Sequence, residues 1–214
     1  MALVRVREHV NPLSRKYQNP VAMPDWGRVY GNATQPLHLD IGCARGKFAL
    51  EMAQREPSWN FLGLEIREPL VHQALASRDA LELRNLHYLF CNINTSIHPL
   101  LASLEPQTLS RISIQFPDPW FKRKHQKRRV VQPEIVDQLS KYLISGGTVF
   151  VQSDVLDVAQ EMVDRFSEHP AFARQHSDWL PTNPFEVPTE REVGVLSLNN
   201  PVYRAVFQKH KGNV

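Results

Sequence analysis

The stretch of the chain richest in chemistry is FPDPWFKRKHQKRR, residues 116–129. Within it Asp118 stands between Pro117 and Pro119, so the backbone there is stiff and cannot enter a helix at once. A rigid turn that presents a carboxylate beside Trp120 and Phe121 suits a planar, electron-rich acceptor. Either ring can stack on a base while Asp118 accepts from the base's N–H groups. Six of the 25 Lys and Arg residues then fall between Lys122 and Arg129. Taken separately, the proline-flanked carboxylate reads as a turn beside a core-filling Trp, and the basic run as a solvated face. Stacking aromatics next to clustered cations are, however, the ingredients of a single-stranded or loop RNA site. A looser basic group, Arg5, Arg7, Arg15 and Lys16, lies in the N-terminal segment, and the two together point to a polyanionic partner.

Two more carboxylates have informative spacing. LDIGCARG places Asp40 just before a turn containing Gly42 and Gly46, and Glu65 follows about twenty residues later at the end of FLGLE. An acid at the second position can accept from both hydroxyls of a ribose. A dinucleotide site calls for G-x-G-x-x-G with no carboxylate beside the pyrophosphate. Here the turn reads Gly42-x-x-x-Gly46 with Asp40 directly before it. That acidic mouth favours S-adenosylmethionine, which has no phosphate and carries an ammonium and a sulfonium. Asn92, closing a later apolar run, either meets an adenine edge or simply forms a turn.

These groups need a scaffold that gathers them. Five short apolar runs, Leu37–Ile41, Phe61–Ile66, Leu86–Cys91, Ile112–Phe116 and Thr148–Gln152, predict strands, and FLGLEI and TVFVQ are apolar enough to be covered on both faces. Helical periodicity fills the gaps. Val155, Val158, Ala159, Met162 and Val163 form one stripe with Asp154 as candidate N-cap, while Ile135, Leu139 and Tyr142 mark an earlier helix stopped by Gly146-Gly147. The alternation predicts a doubly wound α/β fold whose mostly parallel sheet gathers Asp40, Glu65, Asn92 and Asp118 at its carboxyl edge. Val195–Leu198 and Val202–Phe207, flanking Asn199-Asn200-Pro201, predict a C-terminal antiparallel hairpin. Residues 1–35, with Pro12, Pro20 and Pro24, read as a basic arm, and 36–214 as the single domain.

Bulk properties narrow the class. A chain of 214 residues with net charge +3 suits one α/β domain with short extensions. No apolar run approaches bilayer length and the N-terminus has no signal core, which places the protein in the cytosol and off the membrane. Cys43 and Cys91 form no C-x-x-C pair and the nine histidines show no ligand spacing, so no metal is expected.

LDIGCARGKFAL, FLGLEI, the FPDPWFKRKHQKRR block, FVQSD and PTERE together resemble the bacterial tRNA (guanine-N7-)-methyltransferases over about residues 28–207. The PDPW-plus-basic block is the most specific of these motifs. The resemblance implies the class I S-adenosylmethionine-dependent methyltransferase (Rossmann-like) fold and methylation of a guanine in the tRNA variable loop. It also implies that Asp40, Glu65, Asn92 and Asp118 line the cofactor, with Asp118 catalytic. Lys122, Asp154, Thr189 and Glu192 would contact the substrate guanosine. The chain departs from the pattern at four positions. Asp40 stands where many members have Glu, Asn92 where Asp is common, and Ala44 where glycine is frequent, and Arg191 takes the usual aromatic place in T-x-x-E. Two rival readings are a methyltransferase for a protein or small molecule and a non-catalytic RNA-binding module. The basic run argues against the first, and the intact Asp40, Glu65 and Asp118 against the second.

Overall fold

The computed structural model describes residues 10–19 and 21–210; Arg5 and Arg7 of the expected basic arm lie outside them. A seven-stranded sheet forms the spine: β1 (Leu37–Ile41), β2 (Asn60–Glu65), β3 (Leu86–Phe90), β4 (Leu109–Gln115), β5 (Thr148–Ser153), β6 (Phe172–Arg174) and β7 (Tyr203–Lys209), in the order β3-β2-β1-β4-β5-β7-β6. β1 to β5 are parallel, while β7 runs antiparallel to both β5 and β6. All five sequence-predicted strands are present within a few residues. The helices are α1 (Trp26–Val29), α2 (Lys47–Arg55), α3 (Glu68–Ala80), α4 (Ile93–Ser103), α5 (Pro133–Tyr142), α6 (Leu156–Ser167) and α7 (Glu190–Ser197).

Strand alternation assigns the two cores. Leu37, Leu39 and Ile41 of β1 point to one face with apolar residues of α4, α5 and α6; Phe61, Leu86 and Tyr88 of the neighbouring strands point to the other with those of α2 and α3. His38 lies on this second face, fully buried against Phe48, Phe61 and Phe185. β1 sits between β2 and β4, so the helices leave the sheet in opposite directions there, and the crevice beyond its carboxyl end is the expected ligand position of such folds.

Three expectations change. Val195–Leu198 is not a strand: Val195 to Ser197 close α7, and the antiparallel partner of β7 on its outer side is the three-residue β6. Asp154 does not cap α6; Val155 holds that position and its N–H donates to Ser153 Oγ (3.1 Å). The segment read as an arm also enters the core from Trp26 onward. The Trp26 indole stacks on Tyr30 and donates to Ser103 Oγ (2.9 Å), and the Tyr30 hydroxyl donates to the Phe61 carbonyl (3.0 Å).

Candidate active site

Two cavities open at the carboxyl edge of the sheet and share a wall made of Gly42, Arg67, Phe116, Pro117 and Asp118. The first, of about 770 Å³, is lined by Glu65 from β2, Asn92 before α4, and Trp120 and Arg128 from the basic block. The second, of about 1200 Å³, is lined by Asp40 from β1, Phe121, and by Asp154, Thr189, Glu190 and Arg191. Of the residues expected to act, Asp118 alone stands in both.

The turn after β1 explains how backbone reaches so close to both cavities. Gly46 has φ +71°, and a Cβ there would come within 2.3 Å of the Tyr88 ring, whose hydroxyl donates to the Gly46 carbonyl (2.6 Å). Only glycine meets both demands. Gly42 has φ +83° with open space where a Cβ would stand. Ala44 adopts φ +50° despite its side chain, and its N–H donates to Glu65 Oε2 (3.0 Å).

Glu65 is buried at the carboxyl end of β2. Its oxygens accept from the Arg67 N–H (2.9 Å), Nε (2.9 Å) and Nη2 (2.8 Å) as well as from Ala44. Arg67 also lies within the electrostatic reach of Asp118, and the two stand together in the shared wall. Asp40 is buried on the other side, accepting from Ser113 Oγ (2.6 Å) and Gln115 Nε2 (3.4 Å). Burial pushes its carboxyl up to about 6, against the lowering effect of these two hydrogen bonds and with some further rise from Glu65. The Ser113 hydroxyl has one proton and gives it to Asp40, so His38 Nε2, 2.9 Å away, must be the donor to Ser113 Oγ. Burial, together with Arg111, drives His38 down to about 3 and keeps it neutral.

The Pro117-Asp118-Pro119 turn is held from both ends. Phe116 (φ +50°) and Trp120 (φ +41°) both adopt left-handed backbone, strained for bulky residues and typical of sites the surrounding structure over-determines. Arg129 clamps the turn, its Nε donating to the Pro119 carbonyl (2.7 Å) while Nη1 pairs with Glu161 of α6. Arg128 lies over the Trp120 ring, 4.8 Å from its centroid. The basic run is therefore divided: Arg128 and Arg129 turn inward, while Lys122, Arg123, Lys124 and Lys127 are exposed. The aromatics divide likewise. Trp120 faces the first cavity, and Phe121, 72% exposed, stands at the second.

Four further expected ligands, Asn92, Thr189, Glu192 and Asp154, have structural partners. Asn92 caps α4, accepting from the Asn94 N–H (3.2 Å), and its amide donates to the carbonyls of Pro12 and Tyr17 (3.0 Å each), which holds Pro12 at the wall of the first cavity. Both its N–H groups are thus committed to the chain, leaving none for an adenine. Thr189 caps α7 in a reciprocal capping box with Glu192. Glu192 is 1% exposed and lines neither cavity. Asp154 pairs with Arg191 (2.6 Å), the residue that departs from the aromatic pattern. Lys122 is exposed at the start of the 3-10 turn over Arg123–Arg128 and lines neither cavity. Sequence reasoning missed Arg67, whose signal was its place two residues after Glu65, and Gln115 and Gln152, polar residues inside apolar strands.

The described residues contain no group of three or more His, Cys, Asp or Glu able to hold a metal ion and no helix long and apolar enough to cross a membrane. Among solved structures, the chain is similar to the 16S rRNA methyltransferase KamB (TM-score 0.57, 18% identity, 86% of this chain and 91% of that one). An rRNA methylase from Streptococcus thermophilus is a further likeness (TM-score 0.54, 9% identity, covering 87% and 92%). These likenesses bear on the fold alone. The family model described as "Putative methyltransferase" matches residues 34–205. Among curated proteins, the tRNA (guanine-N(7)-)-methyltransferase of Microcystis aeruginosa is 59% identical over 209 residues, 97% of this chain and 99% of the relative. That of Synechococcus elongatus is 58% identical over 207 residues, 97% of each chain. With identity at this level along nearly its whole length, the chain belongs to the tRNA (guanine-N(7)-)-methyltransferase family.

Proposed function

We propose that this protein transfers the methyl group of S-adenosylmethionine to N7 of a guanine in the tRNA variable loop. The observation that carries this reading is the place of Asp118 in the wall common to the two cavities. One cavity offers a carboxylate at the end of the second strand and the other an acidic, aromatic-rimmed acceptor space. The residues fit a cofactor that straddles the common wall: Glu65 in the first cavity would hold the ribose hydroxyls once Arg67 yields its oxygens, and buried Asp40, reached from the second, would hold a cationic group. When bound, the cofactor supplies an electrophilic methyl on a sulfonium.

Guanine N7 has an in-plane lone pair, and its methylation releases no proton, so no general base is needed. The chain's contribution is alignment, worth several kcal/mol when the reacting atoms are held in line, and a fixed field. As positive charge builds on the guanine imidazole ring, the Asp118 carboxylate stabilises it from a turn that cannot relax away. Asp118 is thus the catalytic residue of this reading. Phe121 stacks on the base, Asp154 uses Oδ1 toward its N–H groups, and the exposed Lys122, Arg123, Lys124 and Lys127 take phosphates. With tRNA as partner, the reaction belongs in the cytosol.

A labelled-methyl assay on bulk tRNA, followed by nucleoside analysis and cleavage mapping at 7-methylguanosine, tests the proposal. Label in 7-methylguanosine of the variable loop is the expected result. Label in another nucleoside, or none with cofactor bound, overturns it.

A further inference from the structure

Five N–H groups converge on the Glu192 carboxylate. Oε1 accepts from Arg204 Nε (3.2 Å) and Nη2 (2.7 Å); Oε2 accepts from Gln152 Nε2 (3.1 Å), Asn183 Nδ2 (2.9 Å) and the Thr189 N–H (3.4 Å). A carboxylate offers about four lone-pair positions, so this one has no acceptor left for a nucleoside. We infer that Glu192 is a positioning residue, which fixes the acceptor-side loop from inside the fold and ties it to Asp40.

The loop is gripped at several points from the same hub. Arg204 Nη1 donates to the Pro181 carbonyl (3.2 Å), and the Leu180 N–H donates to the Arg204 carbonyl (2.9 Å). Asn183 Nδ2 also donates to the Val187 carbonyl (3.2 Å), and Glu192 closes the capping box that sets Thr189. Thr189, Glu190 and Arg191 then reach the second cavity from a framework held by these hydrogen bonds.

The connection to Asp40 runs through two buried amides. Gln152 Nε2 donates to Gln115 Oε1 (2.8 Å), and Gln115 Nε2 donates to Asp40 Oδ1 (3.4 Å), while Gln152 Oε1 accepts from Arg204 Nε (3.1 Å). Turning either amide over would set acceptor against acceptor, so the polarity of the chain is imposed by the carboxylates at its two ends. Gln152 sits opposite Arg204 across the β5–β7 ladder, and Gln115 opposite Gln152 across β4–β5, so the strand registers themselves place the links. A ligand that draws on Asp40 shifts Gln115 and Gln152 and is felt at Glu192; by linkage the effect is equal in the reverse direction.

This inference rests on the proposed function, and its test separates the two. Substituting Gln152→Met keeps the Glu192–Arg204 pair and removes the amide links. tRNA affinity is measured with and without S-adenosylhomocysteine, and S-adenosylhomocysteine affinity with and without tRNA. The parent should show the same coupling factor both ways, on the order of fivefold or more, and Gln152→Met should bring it near one. A cycle of Glu192→Gln and Arg204→Gln provides a second arm, read as kcat/KM for tRNA. A positioning role makes the pair strongly non-additive, because Glu192→Gln costs little once Arg204 is gone; a direct guanosine contact makes it additive. A parent that methylates tRNA but shows no coupling, coupling that survives in Gln152→Met, or an additive cycle overturns the inference. A parent that binds cofactor and tRNA with coupling but methylates nothing overturns the proposed function instead.

Discussion

The two cavities are built on different terms. Around the first, the carboxylate is fixed by a strand end: Glu65 is the last residue of β2, and the sheet decides where it points. Around the second, Asp40 of β1 and Gln115 at the end of β4 have that support. The polar groups it draws from the segment after β5 and the start of α7 are held by side chains rather than by a ladder: Asp154 by Arg191, Glu190 by Lys47 (2.7 Å) and Thr189 by Glu192. A strand end transmits sequence position directly into site position. A loop does so only through partners brought from elsewhere in the chain, here Arg204 and Gln152.

The sharpest way to break this contrast is at the shared wall. Asp118→Asn keeps size and turn geometry but removes the charge beside the transfer axis, so it should lower the single-turnover rate about a hundredfold with near-normal tRNA binding. A rate within a few-fold of the parent would make Asp118 a turn residue. Next, Glu65→Ala should weaken S-adenosylmethionine by about 1.5–3 kcal/mol through lost charge-assisted hydrogen bonds. Calorimetry on the folded variant checks this, and unchanged affinity would remove Glu65 from the ribose.

Asp40 sharpens the comparison through pH. Its carboxyl is raised to about 6, so between the ordinary carboxylate range and that value the folded protein holds a proton the unfolded chain has released. Its contribution to stability therefore falls as pH rises through that window and is level above it. Binding a cationic cofactor favours the ionised form, so affinity should climb from pH 5 to 7 and then flatten. Asp40→Asn should remove the climb; a climb that persists assigns it elsewhere.

The remaining effects are smaller. Arg123, Lys124 and Lys127 changed together to Ala should flatten the log–log salt dependence of tRNA binding by about 0.7–0.9 per lost phosphate contact. Arg128 is left out of that set because it is occupied with Trp120. An unchanged slope would return the run to an ordinary solvated face. Least of all, Asn92→Ala should cost about 1 kcal/mol of stability as a lost helix cap while leaving cofactor affinity within a few-fold. A large affinity loss would restore Asn92 to the adenine.

What was legible in the sequence follows the same division. The parallel strands announce themselves because both their faces are buried, and the carboxylates at their ends come with them. The left-handed turn is announced by Gly42 and Gly46. The start of α7 was harder to read. Thr189-x-x-Glu192 before an apolar run is a capping box in form, yet the same letters read as substrate contacts by resemblance. The run VLSL passed for a strand because the turn-forming Asn199-Asn200-Pro201 separates it from a second apolar run, and only the cap upstream decides for helix. The inward turn of Arg128 and Arg129 was not readable, since nothing local distinguishes a clamp on Pro119 from a surface cation. Glu161 and Trp120 have to be in place first.

The position of Arg204 on β7 has a consequence for biosynthesis. Every other strand of the sheet precedes β7 along the chain, yet β7 is inserted between β5 and β6. As the polypeptide leaves the ribosome, β1 to β5 and their helices emerge with all that Glu65, Arg67 and Asp118 need. The wall of the first cavity can thus take shape before β7 is made, while Glu192 lacks its counter-ion until Arg204 follows it. The acceptor half is completed only when the last strand arrives.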